Sequence, residues 1–226
     1  VTVIDGTTYP TETVSTGQNP CAVAVNPVTN KIYVANKDGP SVTVINGYNN
    51  ATTQLTGFSG PCAVAVNPVT NKIYVANHGS ARVTVIDGQF NDTTGVPTFA
   101  GPRAVAVNPV TNKIYVVTDA TGSATVIDGT TNDTTVVSTD TGSCAVAVNP
   151  VTNKIYVVNL KPGMAPRAGN VTVIDGATNN TDTVPGDLSP LAVAVNPVTN
   201  KIYVANNAGN SVTVIDGATN DTTTVP

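Results

Sequence analysis

The chain has 226 residues, of which 40% are hydrophobic, 11% charged and 4% aromatic, and its formal net charge is −4. So few charges exclude a disordered acidic or basic tail, and no apolar run approaches the roughly 18 residues that a membrane-spanning helix needs. The ten Lys and Arg are scattered, without the basic patch that would neutralise phosphates or hold an anionic lipid surface, so nucleic acid and membrane insertion are not expected partners.

The chain opens at Val1 inside a repeated motif, with no basic or apolar leader. Read alone, this marks a mature domain or a fragment, with any signal peptide outside it. That motif, Val-Thr-Val-Ile-Asp-Gly, starts at Val1, Val42, Val83, Ala124, Val171 and Val212, with Asn46 once in place of Asp. A second motif, Ala-Val-Ala-Val-Asn-Pro-Val-Thr-Asn-Lys-Ile-Tyr-Val, starts at Ala22, Ala63, Ala104, Ala145 and Ala192. Internal self-similarity at about forty residues is the signature of a repeat architecture.

Each unit reads as four short strands. In the first unit, strand a is 22–26, the turn Pro27-Val28-Thr29-Asn30 follows, strand b is 31–35, strand c is 42–45 and strand d is a polar stretch near 52–55. β-Branched residues dominate, Pro and Gly interrupt every few residues, and no apolar stripe at a 3.6-residue period appears. Four strands per forty residues predict an all-β propeller, one domain over 1–226. Small residues in strand a suit the crowded centre, and Thr-rich strand d suits an outer edge that must resist pairing. Residues 1–15 hold only a c–d pair. That pair and the last one (212–225) are equivalent in sequence and compete for the place beside 192–205. Five blades with one redundant or swapped c–d copy is the favoured count, and a sixth half-blade is the alternative. A monomer is expected, with a strand-swapped dimer as the other outcome.

The run Lys31-Ile32-Tyr33-Val34-Ala35-Asn36, with its copies at Lys72, Lys113, Lys154 and Lys201, joined to Val-Thr-Val-Ile-Asp-Gly-Ala-Thr-Asn, resembles the bacterial and archaeal YVTN β-propeller repeats over essentially the whole chain. Ala or Val stands where that family's name motif has Thr, and seven blades are usual there. The resemblance implies an exported or cell-surface prokaryotic protein. The chain itself reads as a non-catalytic binding or structural module, and no cofactor is expected.

Copies within the chain differ most in the b–c and d–a loops, the side on which loops carry function when a scaffold holds them. The residue entering strand a is Cys21, Cys62, Arg103, Cys144 and Leu191 in turn. In a closed ring these five surround the channel mouth. They read either as packing residues or as a soft-metal, thiol or anion site. The b–c loops add Lys37, Asp38, His78, Arg82 and Asp119, and an insertion from Leu160 to Asn170 adds Lys161, Met164 and Arg167. This face is expected to contact a protein or glycan partner.

Enzyme readings are weaker. His78 is the single histidine, which excludes a multi-histidine metal centre and leaves one residue for any histidine-based catalysis. The repeated aspartates (Asp5, Asp87, Asp128, Asp175, Asp216) suit Asx-turns before Gly. The repeated lysines are expected to be solvated. A lyase- or lactonase-like site at the channel mouth stays open as the alternative.

Overall fold

The computed structural model describes residues 1–4, 6–161, 163 and 167–226; Asp5 and Met164, named above, lie outside them. All regular structure among the described residues is β. A two-stranded sheet comes first, β1 (Thr2–Ile4) and β2 (Thr11–Thr13). Five four-stranded antiparallel meanders follow. Blade 1 is β3 (Pro20–Asn26), β4 (Lys31–Asn36), β5 (Ser41–Asn46) and β6 (Thr52–Thr56); blade 2 is β7 (Pro61–Asn67), β8 (Lys72–Asn77), β9 (Arg82–Asp87) and β10 (Thr93–Pro97). Blade 3 is β11 (Pro102–Asn108), β12 (Lys113–Thr118), β13 (Ser123–Asp128) and β14 (Thr134–Ser138). Blade 4 is β15 (Ser143–Asn149), β16 (Lys154–Leu160), β17 (Ala168–Asp175) and β18 (Thr181–Leu188), and blade 5 is β19 (Pro190–Asn196), β20 (Lys201–Asn206), β21 (Ser211–Asp216) and β22 (Thr222–Val225). The expected strands are present, each extended by one or two residues at an end.

Turn chemistry explains the meander. Asn30, Asn71, Asn112, Asn153 and Asn200 end the a–b turns with φ of 49–54°, a left-handed conformation that Asn tolerates better than most residues. Asp87, Asp128, Asp175 and Asp216 make the Asx-turns predicted for them. Asp87 Oδ1 accepts from the N–H groups of Gln89 (2.8 Å) and Phe90 (3.0 Å), and these bonds hold its carboxyl below the usual range. The following glycine is required: Gly88 N–H donates to the Asn71 carbonyl at 2.8 Å, and a Cβ there would collide with the Asn71 side chain and carbonyl.

The core lies between blades. Tyr33, Val42 and Val44 of blade 1 meet Ile73, Val75 and Ile86 of blade 2, and the same positions recur at the junction of blades 3 and 4. Burying such a side chain contributes about 1.5–3 kcal/mol. A polar clamp adds direction. Asn26 Nδ2 donates to Asn71 Oδ1 at 2.6 Å, and Asn67 to Asn112, Asn108 to Asn153 and Asn149 to Asn200 each at 2.8 Å. Three of the lysines expected to be solvated instead reach the next blade. Lys31 Nζ donates to the Gly88 carbonyl (2.8 Å), Lys72 to Gly129 (2.6 Å) and Lys154 to Gly217 (2.7 Å). Lys201, in blade 5, pairs with its own Asp216 at 2.7 Å.

Inner strands pack in series from β3 through β7, β11 and β15 to β19, with no comparable packing of β19 back on β3. The two c–d copies do not compete. β21–β22 complete blade 5, while β1–β2 lie at the opposite end, where Val1, Val3 and Val14 pack on Ile32, Val34 and Ile45. Five blades are complete, and the half-blade keeps a place of its own.

Candidate functional site

The b–c and d–a loops share one end of the blades, pinned to each other by backbone bonds. Lys37 N–H donates to the Asn19 carbonyl (3.0 Å), His78 to Gly60 (3.0 Å), Leu160 to Gly142 (2.9 Å) and Asn207 to Ser189 (2.9 Å). Behind them a buried Asn closes strand b: Asn36 Nδ2 donates to Thr43 Oγ1 and Asn77 Nδ2 to Thr84 Oγ1, both at 2.9 Å. The lysines and arginines divide evenly by face. The five repeated lysines stand at the a–b turns, whereas Lys37, Arg82, Arg103, Lys161 and Arg167 all stand at the loop end. Asp38, Asp119, Asp140 and Asp187 are the carboxylates at that end among the described residues.

The residue entering strand a sits on a β-bulge. Pro20 opposes Asn36 and Ala22 opposes Ala35, leaving Cys21 as the extra residue; such bulges re-aim a side chain. Each thiol is thereby turned onto the next inner strand. Cys21 Sγ lies 3.3 Å from the Pro61 carbonyl, Cys62 Sγ 3.3 Å from that of Pro102, and Cys144 Sγ 3.6 Å from that of Pro190. All three cysteines are free. Burial pushes their thiols up, Cys62 to about 11. A raised thiol is a poor nucleophile and metal ligand, and among the described residues no three His, Cys, Asp or Glu groups converge as a metal site. The thiols are therefore arranged as inter-blade packing. Leu191, at the same bulge in blade 5, is 43% exposed.

Where Arg103 replaces Cys, the bulge instead presents charge. Its guanidinium lies 3.4 Å from Asp119 Oδ2, and His78 Nε2 of the preceding blade lies 3.5 Å from the same oxygen. The three residues, expected separately, form one cluster across blades 2 and 3. Next to it a cleft of about 400 Å³ is lined by Arg103, Asp119, Thr141, Cys144, Leu160 and Arg167. The b–c hairpin of blade 4 is lengthened, with Leu160 paired to Gly169, and Leu160 and Arg167 line one side of this cleft. Lys37 and Asp38 lie elsewhere, where Asn19 Nδ2 donates to Asp38 Oδ2 at 3.0 Å.

Asp140 was not anticipated. It accepts from Asn170 Nδ2 (2.8 Å) and from Thr141 N–H (2.8 Å), and it pairs with Lys161 (3.5 Å). The Asn170 amide contributes most to holding its carboxyl below the usual range. Its one sequence signal is a carboxylate where the loops entering blades 1, 2 and 3 carry Gly17, Phe58 and Phe99.

No family model matches the chain, and no curated protein matches it. Solved structures do. Hydrazine synthase from Kuenenia stuttgartiensis superposes with a TM-score of 0.64 at 18% identity, covering 95% of this chain and 80% of that one. A Bacteroides uniformis protein provisionally assigned as a 6-phosphogluconolactonase gives 0.75 at 17% identity, over 99% and 76%. A chain of a nidogen–laminin complex gives 0.70 at 14% identity, over 99% and 88%. At such identities the likeness is one of fold, and it establishes the chain as a β-propeller.

Proposed function

We propose that the chain is a non-catalytic binding or structural module of the YVTN-repeat type, exported to the cell surface, whose loop face contacts a protein or glycan. One observation carries this reading. The side chains that break the repeat, Arg103, Asp119, Arg167 and their neighbours, gather around one cleft at the loop end, while the a–b turns at the other end are identical in all five blades. Diversified polar groups on loops held by a rigid scaffold suit recognition. The test is an array of glycans and peptides probed with the purified chain and with the triple variant R103S/D119N/R167S. A ligand of the wild type should lose at least about tenfold in affinity, or about 1.4 kcal/mol, while the turn variant Gln89→Ala binds normally. Equal binding by the triple variant would remove the cleft from the proposal.

A second reading has its own support. His78, Asp119 and Arg103 converge within 3.5 Å contacts, and one fold neighbour carries a lactonase assignment. A lactonase- or lyase-like site there would use His78 as its acid–base group. His78→Ala should then abolish turnover on a panel of lactones; unchanged turnover discards it.

A further inference from the structure

Two successive blade junctions carry the same groove, between the d–a loop of one blade and the outer strands of the next. They are built differently. On strand c of blade 2, Arg82 and Thr84 point to the same side of the sheet, because side chains alternate along a strand. Gly95 of strand d pairs with Thr84 and shares that side. In the other blades the place of Arg82 is held by Ser41, Ser123, Asn170 and Ser211. The place of Gly95 is held by Gln54, Val136, Thr183 and Thr224. Blade 2 alone combines a long cation with a missing side chain.

The two changes fit each other. A Cβ on Gly95 would fall 2.7 Å from Arg82 Cδ and 2.8 Å from its Nε and Nη1, so the arginine lies flat over the bare backbone of strand d. Glycine inside a strand weakens it, and marks a place where another group approaches closely. The fold does not require the arginine side chain. Ser41 and Ser211 accept from the Asn that ends strand b, Asn36 and Asn206, each at 3.2 Å. In blade 2 the Arg82 carbonyl takes that bond from Asn77 at 3.3 Å, which leaves the guanidinium to another use. Among the described residues no carboxylate pairs with it.

The result is a cleft of about 510 Å³ lined by Ser59, Ser80, Arg82, Thr84, Thr93 and Gly95, within the roughly 300–1,000 Å³ of ligand pockets. One junction on, where Val136 and Phe99 line the same groove, it holds about 200 Å³. Both blades around the larger cleft are complete four-stranded sheets. A guanidinium offers five N–H donors, and Ser and Thr hydroxyls both donate and accept. Among the described residues no carboxylate and no large apolar side chain lines the cleft. That chemistry suits a ligand that is polar all round and carries an oxyanion. We propose that the cleft binds an acidic sugar, with its carboxylate or phosphate on Arg82 and its hydroxyls on the Ser and Thr side chains. The site is separate from the cleft at Arg103, which lies between blades 3 and 4.

The test is an NMR titration of the full chain with glucuronate and with glucose 6-phosphate, and with glucose and inorganic phosphate as separate probes. Saturable shifts are expected at the Arg82 Nε–H and at the amides of Ser80, Ala81 and Gly95. One of the acidic sugars should bind at least about tenfold more tightly than glucose or inorganic phosphate, and the preferred one names the charged group. Arg82→Ser and Gly95→Val copy residues of blades 1 and 3 into blade 2, so both should fold with unchanged circular dichroism. The first removes the cation and the second lifts it off strand d. Each should weaken binding at least about tenfold, as expected for a lost charge-assisted bond, whereas R103S/D119N/R167S should bind normally. The absence of a saturable shift with either acidic sugar at about 10 mM would overturn the proposal. So would equal affinity for glucose or inorganic phosphate, or full binding by Arg82→Ser. Loss of binding in the triple variant would overturn it as well, by placing the sugar in the other cleft.

Discussion

At the scale of single residues, two side-chain types do work that neighbouring sequence does not announce. Asn108 bonds Asn153 across the blade junction with its amide and accepts from Val110 N–H with its carbonyl. Asn108→Ala leaves buried partners unsatisfied and should cost about 1–3 kcal/mol in urea unfolding. The cysteines differ in access rather than in partners. Cys21 is exposed, while Cys62 and Cys144 are half-buried and all three are raised by burial. Ellman labelling of the native chain at pH 8 should show Cys21 reacting first and the other two only slowly, whereas three equally fast thiols would contradict the packing role. The bulge that turns each thiol onto the next strand could not be read from the sequence, since it depends on the register between strands a and b. The lysines illustrate the same limit. Their identity repeats visibly, but the carbonyls that Lys31, Lys72 and Lys154 meet lie roughly sixty residues away, on another blade.

At the scale of elements, strands and turns were legible because short β-branched runs and the Asn-Pro and Asp-Gly punctuation recur at every period. What the repeat cannot express is that its units occupy different surroundings. Tyr33, Tyr74, Tyr115 and Tyr156 are fully buried, while Tyr203, identical in local sequence, is 39% exposed on the uncovered face of blade 5. The pair gives a direct measurement. Tyr74→Ala should destabilise by about 3–5 kcal/mol, the range for a buried aromatic, and Tyr203→Ala by a clearly smaller amount in the same denaturant assay. Equal costs would mean that blade 5 is covered in solution. The placement of the two c–d copies was illegible for a related reason: residues 1–15 and 212–225 are alike in sequence, and the choice between them is made by whole-blade packing.

At the scale of the whole molecule, titration should bracket stability from both sides. Burial, helped by an aspartate of the following blade, pushes Tyr33, Tyr74, Tyr115 and Tyr156 up to about 12. Phenols raised in this way hold their full contribution below the ordinary value of about 10 and lose it as pH rises toward 12. Four tyrosines should therefore ionise together with alkaline unfolding, seen as tyrosinate absorbance rising in step with loss of β-sheet circular dichroism. On the acid side, Lys201 and backbone N–H groups hold Asp216 near 2, and Asp87, Asp128 and Asp175 are lowered by their Asx-turns. That contribution is complete above the ordinary value of about 3.9 and disappears as pH falls toward 2. Tm should be flat between these limits and fall beyond each.

The one-way clamp between blades has a consequence for how such a chain can change over generations. Because Asn26 offers Asn71 the same geometry that Asn67 offers Asn112, excising one period, residues 63–103, would set Asn26 against Asn112 with every junction of the original kind. Near-identical units also invite unequal recombination, which gains or loses whole periods. Copy number is thus a heritable variable that selection can adjust freely, in a lineage where the loop tips diverge while the joints stay interchangeable.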